Sequence, residues 1–166
     1  MTLPPLSLYI HTPWCVRKCP YCDFNSHEHR GDLPEKEFLA ALLDDMEQEL
    51  VHVQGRELAS IFIGGGTPSL LSADFYSHLL TALAAKIQFA PEIEITLEAN
   101  PGTFEQEKFA GFREVGINRL SIGVQSFSEQ HLQNLGRIHS GGEAHRAVEM
   151  AQAVGFDNIN IDLMFA

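Results

Sequence analysis

The sequence has few basic residues, few cysteines and no long apolar run. Lysine and arginine number 11 against 22 acidic residues, which gives a formal charge of −11 and a pI near 5.0. A chain this acidic has no positive field to hold a phosphate backbone, so we do not expect nucleic acid as a partner. No apolar stretch approaches the length that spans a bilayer, and the first residues lack the charged and apolar regions of a signal peptide. We therefore expect a cytoplasmic protein without a transmembrane segment.

Short apolar segments alternate with helical patterns along the chain. With 45% apolar and 20% charged residues, 166 residues suffice for one globular domain with a sizeable core, which excludes a disordered chain. A regular order of strand and helix predicts an α/β fold with a parallel sheet and right-handed crossovers. The predicted strands are residues 7–10, 60–63, 94–98, 119–125 and 158–165, and helical patterns cover residues 38–50, 75–87, 109–115, 128–135 and 144–154.

All the cysteines fall in one short stretch, and they are Cys15, Cys19 and Cys22. Three thiols at this spacing cannot all pair as disulfides, but they can turn inward onto a common inorganic centre. A four-iron cluster held by three thiolates keeps one iron without a protein ligand, and such an iron can bind a substrate or cofactor. A structural zinc site would instead need four ligands, and His11, His27 or His29 could supply the fourth. The spacing alone leaves both kinds of centre open.

The unusual residues all fall at or near the carboxyl ends of predicted strands. Loops at this end of a parallel sheet build the binding face of βα folds. The residues concerned are the three cysteines after the first strand, Gly64-Gly-Gly-Thr67 after the second, Glu98 after the third, Gln125 after the fourth and Asp162 within the fifth. The pattern therefore predicts one binding site at this edge of the sheet.

The segment His11-Thr-Pro-Trp-Cys15-x3-Cys19-Pro-Tyr-Cys22-Asp-Phe-Asn25 resembles the cluster loop of the radical S-adenosylmethionine (SAM) superfamily, whose pattern is Cys-x3-Cys-x-aromatic-Cys. Within that superfamily the chain is similar to the HemN/HemW group, the oxygen-independent coproporphyrinogen III oxidases and the related haem chaperones. The resemblance extends over the whole chain. It implies a partial (β/α)6 barrel with parallel strands, truncated at about the fifth strand. Residues 1–166 would then be an amino-terminal, incomplete radical SAM core domain.

The resemblance also implies two cofactors, a [4Fe-4S] cluster on the three cysteines and SAM on the open iron. By their match to the family's motifs, Gly65, Gly66 and Thr67 would bind the methionine end of SAM, and Arg137 would bind its carboxylate. The other SAM contacts that the resemblance implies are Glu98, Gln125 and Asp162, with Tyr9 at the SAM site and Tyr21 beside the adenine.

Each of these residues also has an ordinary structural explanation. Three glycines can form a plain tight turn between a strand and a helix. Glu98 ends a buried strand, where a carboxylate needs a partner, and Arg119 or Arg137 could form a salt bridge with it. Tyr9 and Tyr21 could simply pack at the top of a strand.

One position separates the two functions in the resembled group. The oxidases carry a further cysteine two residues after the third ligand, whereas this chain has Phe24, as the HemW-type proteins do. The substitution favours a haem chaperone, whose ligand would be haem or a porphyrin and which would hand haem to an acceptor protein. The alternative is an oxygen-independent coproporphyrinogen III oxidase, which converts propionates to vinyl groups. A structural zinc module would neither bind haem nor convert propionates. Among the histidines, His27 and His29 suggest a haem ligand.

Overall fold

The computed structural model describes residues 3–165, with residue 103 described through its backbone only. The strands are β1 (Leu6–Thr12), β2 (Trp14–Cys15), β3 (His27–Glu28), β4 (Leu58–Gly65), β5 (Phe89–Ala99), β6 (Arg119–Gln125) and β7 (Asn158–Leu163). The α-helices are α1 (Glu35–Glu49), α2 (Ala73–Lys86), α3 (Thr103–Gln106), α4 (Phe109–Glu114), α5 (Glu129–Asn134) and α6 (Gly141–Ala153). Single 3₁₀ turns cover Leu50–His52 and Pro68–Leu70.

The long strands form one parallel sheet in the order β1-β4-β5-β6-β7. Long strands that are adjacent in the sheet are also consecutive along the chain. Every connection between them is therefore a crossover, and each crossover contains at least one helix. The predicted α/β class with parallel strands is therefore confirmed. The third predicted strand was too short, because β5 begins at Phe89 rather than at residue 94. Within the loop that holds the cysteines, β2 and β3 form a separate pair that the sequence did not predict.

One face of the sheet carries the hydrophobic core. Ile63, Leu97, Leu120 and Ile122 point to this side from three adjacent strands and are fully buried. They pack with the apolar residues of the helices, among them Phe112, into one continuous cluster. Burying a side chain of this size contributes about 1.5–3 kcal/mol relative to leaving it exposed. We call this side of the sheet the helix-covered face.

The opposite side of the same strands, which we call the open face, is polar. Successive residues of a strand point to opposite faces, so the neighbours of the core residues belong to this side. Its residues include Thr96, Glu98, Ser121, Asn160 and Asp162. A sequential strand order with its core on one face fits a partial barrel whose interior is the open face. Among residues 3–165, the helices are all too short or too polar to cross a bilayer.

The segment after β4 is held by side chains from the next two helical units. The Tyr76 hydroxyl of α2 donates to the carbonyl of Pro68 at 2.8 Å. The ammonium of Lys108, which precedes α4, donates to three carbonyls of residues 69–71, the shortest at 2.6 Å to Leu70. Burial lowers the pKa of Lys108. Ser72 begins α2 by accepting from the backbone N–H of the third helical residue at 3.0 Å. These contacts fix the backbone directly after the glycine run.

Candidate functional site

The cysteine loop, residues 15–22, crosses the carboxyl end of the sheet. Cys15 is buried at the end of β2, and Cys19 and Cys22 are half-buried. The backbone N–H of Cys22 donates to the carbonyl of Cys19 at 3.1 Å, which closes a tight turn between them. All three are free thiols and line one cleft between this loop and the strand ends.

Contacts from outside the cysteines hold the loop in place. Lys18 reaches across the loop and donates to the carbonyls of Phe24 and Ser26, both at 3.1 Å. The His11 Nε2 donates to the carbonyl of Asn25 at 2.8 Å, which ties the far end of the segment to β1. The parallel pairing of β2 with β3 adds backbone contacts at the base of the loop. The thiols are therefore presented by a segment with a defined conformation.

The zinc alternative would require a histidine next to the thiols. Of the described residues that line the cleft, none is His11, His27 or His29. Among residues 3–165, no three His, Cys, Asp or Glu side chains, the three cysteines included, lie close enough together to hold a single metal ion. The cleft is lined by three thiols and by none of the three candidate histidines, so none of these histidines is placed as a fourth zinc ligand.

The glycine run forms the opposite wall of the cleft. A Cβ on Gly66 would lie 2.4 Å from the Trp14 carbonyl oxygen, and a Cβ on Gly65 would lie 2.7 Å from the Thr12 carbonyl oxygen. Gly65 also has a φ of +111°, which favours glycine. The glycines are thus required where the chain approaches itself, beneath the cysteine loop.

The backbone N–H groups of the run are engaged within the protein. Gly66 donates to the Thr12 carbonyl at 2.6 Å, and Thr67 donates to the Trp14 carbonyl at 2.7 Å. A ligand in the cleft would therefore meet carbonyl oxygens and van der Waals contacts rather than free N–H groups.

Two carboxylates face the cleft from the open face. Glu98 accepts from the Gly65 N–H at 3.1 Å, and Asp162 accepts from the Asn160 amide at 2.7 Å. Burial raises the pKa of Glu98, and the negative charge of Asp162 raises it further, while the Gly65 hydrogen bond and His11 partly offset the rise. Among the described residues, neither carboxylate forms a salt bridge, so the ordinary explanation for Glu98 is not what the structure shows. The cleft is suited to a positively charged ligand.

Arg137 joins the strand ends to the cysteine loop. Its guanidinium donates to the Asn100 side chain at 2.7 Å and to the Gly123 carbonyl at 2.6 Å. The same group lies 3.5 Å from both the Cys19 sulfur and the Tyr21 hydroxyl. Its Nε is buried and makes no hydrogen bond to a described residue. Arg137 therefore lines the cleft with most of its donors engaged within the protein, and its unpaired N–H is on a buried atom.

Eleven of the predicted site residues line this cleft together. They are Cys15, Cys19, Tyr21, Cys22, Gly65, Gly66, Thr67, Glu98, Gln125, Arg137 and Asp162. Gln125 ends β6 with a φ of +66°, an uncommon conformation for a residue other than glycine. Tyr21 is 40% exposed, so core packing does not account for it.

Tyr9 is the predicted site residue that does not line the cleft. Its hydroxyl is 2.9 Å from the Nδ1 of His11, and its ring stacks on Phe62 across β1 and β4. It is 56% exposed, so it is not a core residue either. The side chain lies lower on the open face, next to the cleft, where burial raises its pKa and the charge of Glu98 raises it further.

Sequence analysis missed three residues of the site. Asn100 donates to the Thr67 hydroxyl at 3.1 Å and accepts from Arg137, so it couples two predicted residues. Gly123 lies opposite the same guanidinium, where a Cβ would be 3.5 Å from it. Ser121 lines the cleft beside Asp162. The sequence offered two signals for them, because Asn100 directly follows a strand and Gly123 lies inside one.

The chain is similar to known proteins over nearly its whole length. Residues 9–166 match the family model of the Radical SAM superfamily. The chain is 54% identical over 162 residues to Heme chaperone HemW of Escherichia coli, covering 98% of this chain and 43% of that protein. It is 54% identical over 166 residues to Heme chaperone HemW of Haemophilus influenzae, with the same two shares. The chain thus spans less than half the length of these relatives.

The fold is also similar to a solved structure. Coproporphyrinogen III oxidase (HemN) from Escherichia coli, described as a radical SAM enzyme, has a TM-score of 0.80 and 33% sequence identity. The match covers 97% of this chain and 37% of that one.

Proposed function

The chain belongs to the radical SAM superfamily, and from this premise we propose that it binds a [4Fe-4S] cluster and SAM and acts in a HemW-like haem chaperone. The observation that carries the proposal is the single cleft lined by eleven predicted residues from separate segments. Membership implies the two cofactors, and the thiol set, the glycine wall and the paired carboxylates fit them. We further propose that residues 1–166 belong to one radical SAM core domain.

The cluster would be held by the three thiols of the cysteine loop, Cys15, Cys19 and Cys22. Three thiolates leave one iron open, which is the position that a SAM molecule would occupy. When bound, the cluster supplies the electron that cleaves SAM. The potential of such a centre depends on burial and on hydrogen bonds to its sulfurs. In this chain the group placed to make such a bond is Arg137, 3.5 Å from the Cys19 sulfur.

The charges of the cleft match the two ends of SAM. Glu98 and Asp162 face the cleft without a salt-bridge partner among the described residues, and they suit the ammonium and sulfonium. The guanidinium of Arg137 also lines the cleft and suits the carboxylate. Gly65, Gly66 and Thr67 form the wall that would contact the methionine end, with Gln125 and Tyr21 as further contacts and Tyr9 below them.

Phe24 and the names of the curated relatives both favour a haem chaperone over an oxidase. Phe24 lines the cleft at the position where the oxidases carry a further cysteine. The curated relatives at 54% identity are named heme chaperones, while the oxidase of known structure is 33% identical. We accordingly propose that the protein binds haem and passes it to a haem-accepting protein. Three grouped thiols favour a reducing compartment, so we place the protein in the cytoplasm.

The test compares two activities of protein reconstituted anaerobically with iron and sulfide. We expect the protein to bind haem and transfer it to an apo-haemoprotein, with no vinyl product from coproporphyrinogen III under reduction with SAM. Formation of the vinyl product at catalytic turnover, without haem transfer, would establish the oxidase instead. A colourless preparation that contains zinc would exclude both.

A further inference from the structure

A second opening lies on the outer side of the cysteine loop. It is a groove of about 1000 Å³, and Arg17 is the one described residue that its lining shares with the SAM cleft. Three apolar side chains from different segments converge on it while remaining largely exposed, namely Val16 at 49%, Phe104 at 59% and Ile138 at 63%. Exposed apolar groups that gather around one concavity mark a binding surface.

His29 lines this groove in an orientation that suits a metal ligand. Its Nε2 must donate to the carbonyl of Asp32 at 2.9 Å, because a carbonyl can only accept. The neutral ring then has its lone pair on Nδ1, which makes no hydrogen bond to a described residue. Histidines that ligate metals commonly donate their other N–H to a backbone carbonyl in this way. The edge of Trp14 fixes the ring further, with centroids 6.2 Å apart.

Two arginines occupy the rim of the same groove. Arg17 makes no hydrogen bond or ion pair to another residue among those described, and Arg30 pairs with Glu28 at 3.0 Å. Two more acids line the groove, Asp32 and Glu35, and Glu35 is engaged by the Ser72 backbone and hydroxyl at 2.7 and 2.6 Å. Arg17 is therefore the free cation of the rim. It suits a carboxylate on a ligand whose body is apolar.

We propose that this groove binds haem, with His29 as an iron ligand through Nδ1, Arg17 on a propionate and Val16, Phe104 and Ile138 against the ring. The inference rests on the proposed haem chaperone function and assigns a site to it. Val16 and Arg17 lie between Cys15 and Cys19 in the sequence, so haem here would contact the back of the loop that holds the cluster. The cluster and the haem would then share one structural segment.

The test is a haem titration of the reconstituted protein, followed by the Soret absorption band. His29→Ala should weaken haem binding by roughly tenfold or more, since losing even a residue behind a metal ligand costs about 10–100-fold in affinity. His29→Gln retains a donor for the Asp32 carbonyl and guards against a folding defect, and it should show the same loss. His27→Ala is the matched control, because His27 is exposed two residues away and does not line the groove.

Metal-free protoporphyrin IX has no iron, so its binding measures contact with the porphyrin ring without iron ligation by His29. The His29 variants should bind it as the wild type does, whereas Val16→Asp and Ile138→Asp should weaken both haem and protoporphyrin. If wild-type protein binds haem and the His29 and Val16 variants bind it equally well with an unchanged Soret band, the groove is not the site. If wild-type protein binds no haem at all, the proposed chaperone function fails first, and with it this assignment.

Discussion

The two faces of the parallel sheet use the same strands for different purposes. In β5, Leu97 is fully buried under the helices, while its neighbour Glu98 faces the cleft on the open face. In β6, Leu120 and Ser121 repeat the same division. One residue step along a strand thus separates a side chain that stabilises the fold from one that faces the binding cleft. Substitutions on the helix-covered face should therefore change the free energy of unfolding, and those on the open face should change ligand binding.

The largest effect on stability is expected from Leu97→Ala on the helix-covered face. The side chain is fully buried among Ile63, Leu120 and the helices, so truncation leaves a cavity. We expect the free energy of unfolding to fall by about 2–5 kcal/mol. Urea unfolding of the variant and the wild type measures it. A loss below about 1 kcal/mol would mean that this face is not the packed core.

A smaller loss of stability with a large loss of binding is expected from Gly65→Ala. A Cβ there meets the His11 ring and the Thr12 carbonyl at 2.7 Å, and the residue has a φ of +111°. Gly116→Ala is the matched control, because its φ is +104° and nothing lies within 4 Å of its Cβ. Both variants should incur the backbone cost of about 1–2 kcal/mol. SAM affinity, measured by equilibrium dialysis, should fall for Gly65→Ala alone, and equal affinities would remove the glycine wall from the site.

The smallest effect on stability is expected from Glu98→Gln. The amide oxygen can still accept from Gly65, and the buried charge disappears, so stability at neutral pH should be unchanged or slightly higher. Because the folded-state pKa of Glu98 is raised, the wild type gains stability from its protonated form below the ordinary carboxyl pKa. That contribution is lost as pH rises through the folded pKa. The wild type should therefore lose stability relative to Glu98→Gln as the pH rises from the ordinary carboxyl pKa through the raised folded-state pKa.

Urea unfolding across this range checks the pH dependence, and SAM binding checks the role in the site. We expect Glu98→Gln to bind SAM more weakly while Leu97→Ala, once folded, binds it normally. A pH-independent difference between the wild type and Glu98→Gln would show that the carboxyl group is not perturbed by burial. If Leu97→Ala bound SAM weakly and Glu98→Gln bound it normally, the assignment of stability to the helix-covered face and of binding to the open face would be wrong.

Much of the architecture could be predicted because it depends on repeating patterns. The buried strands and the apolar faces of the helices recur at regular spacing, and the parallel order follows from their alternation. The position of the site could also be predicted, since parallel strands end at one edge. Eleven of the proposed residues indeed line one cleft. Their roles toward SAM and the cluster stay predictions.

The remaining features of the fold and of the site depend on contacts between distant residues, which no local sequence pattern indicates. β2 and β3 have two residues each, too few to show a period. Asn100 contacts Arg137 although they are 37 positions apart, and only the folded chain shows that Arg137 also approaches Cys19. The direction of Tyr9 is set by its stacking on Phe62, which one sequence cannot reveal. The directions of the side chains within the site were thus less predictable than the position of the site in the fold.

The most direct test of the account is magnetic resonance on the reduced, reconstituted protein with isotopically labelled SAM. Three thiolates with one open iron predict a four-iron signal that shows strong hyperfine coupling to the labelled atoms, and loss of that coupling in Gly65→Ala. A fully formed four-iron signal that shows no coupling at saturating SAM would contradict the account, because the open iron would then not be the binding position.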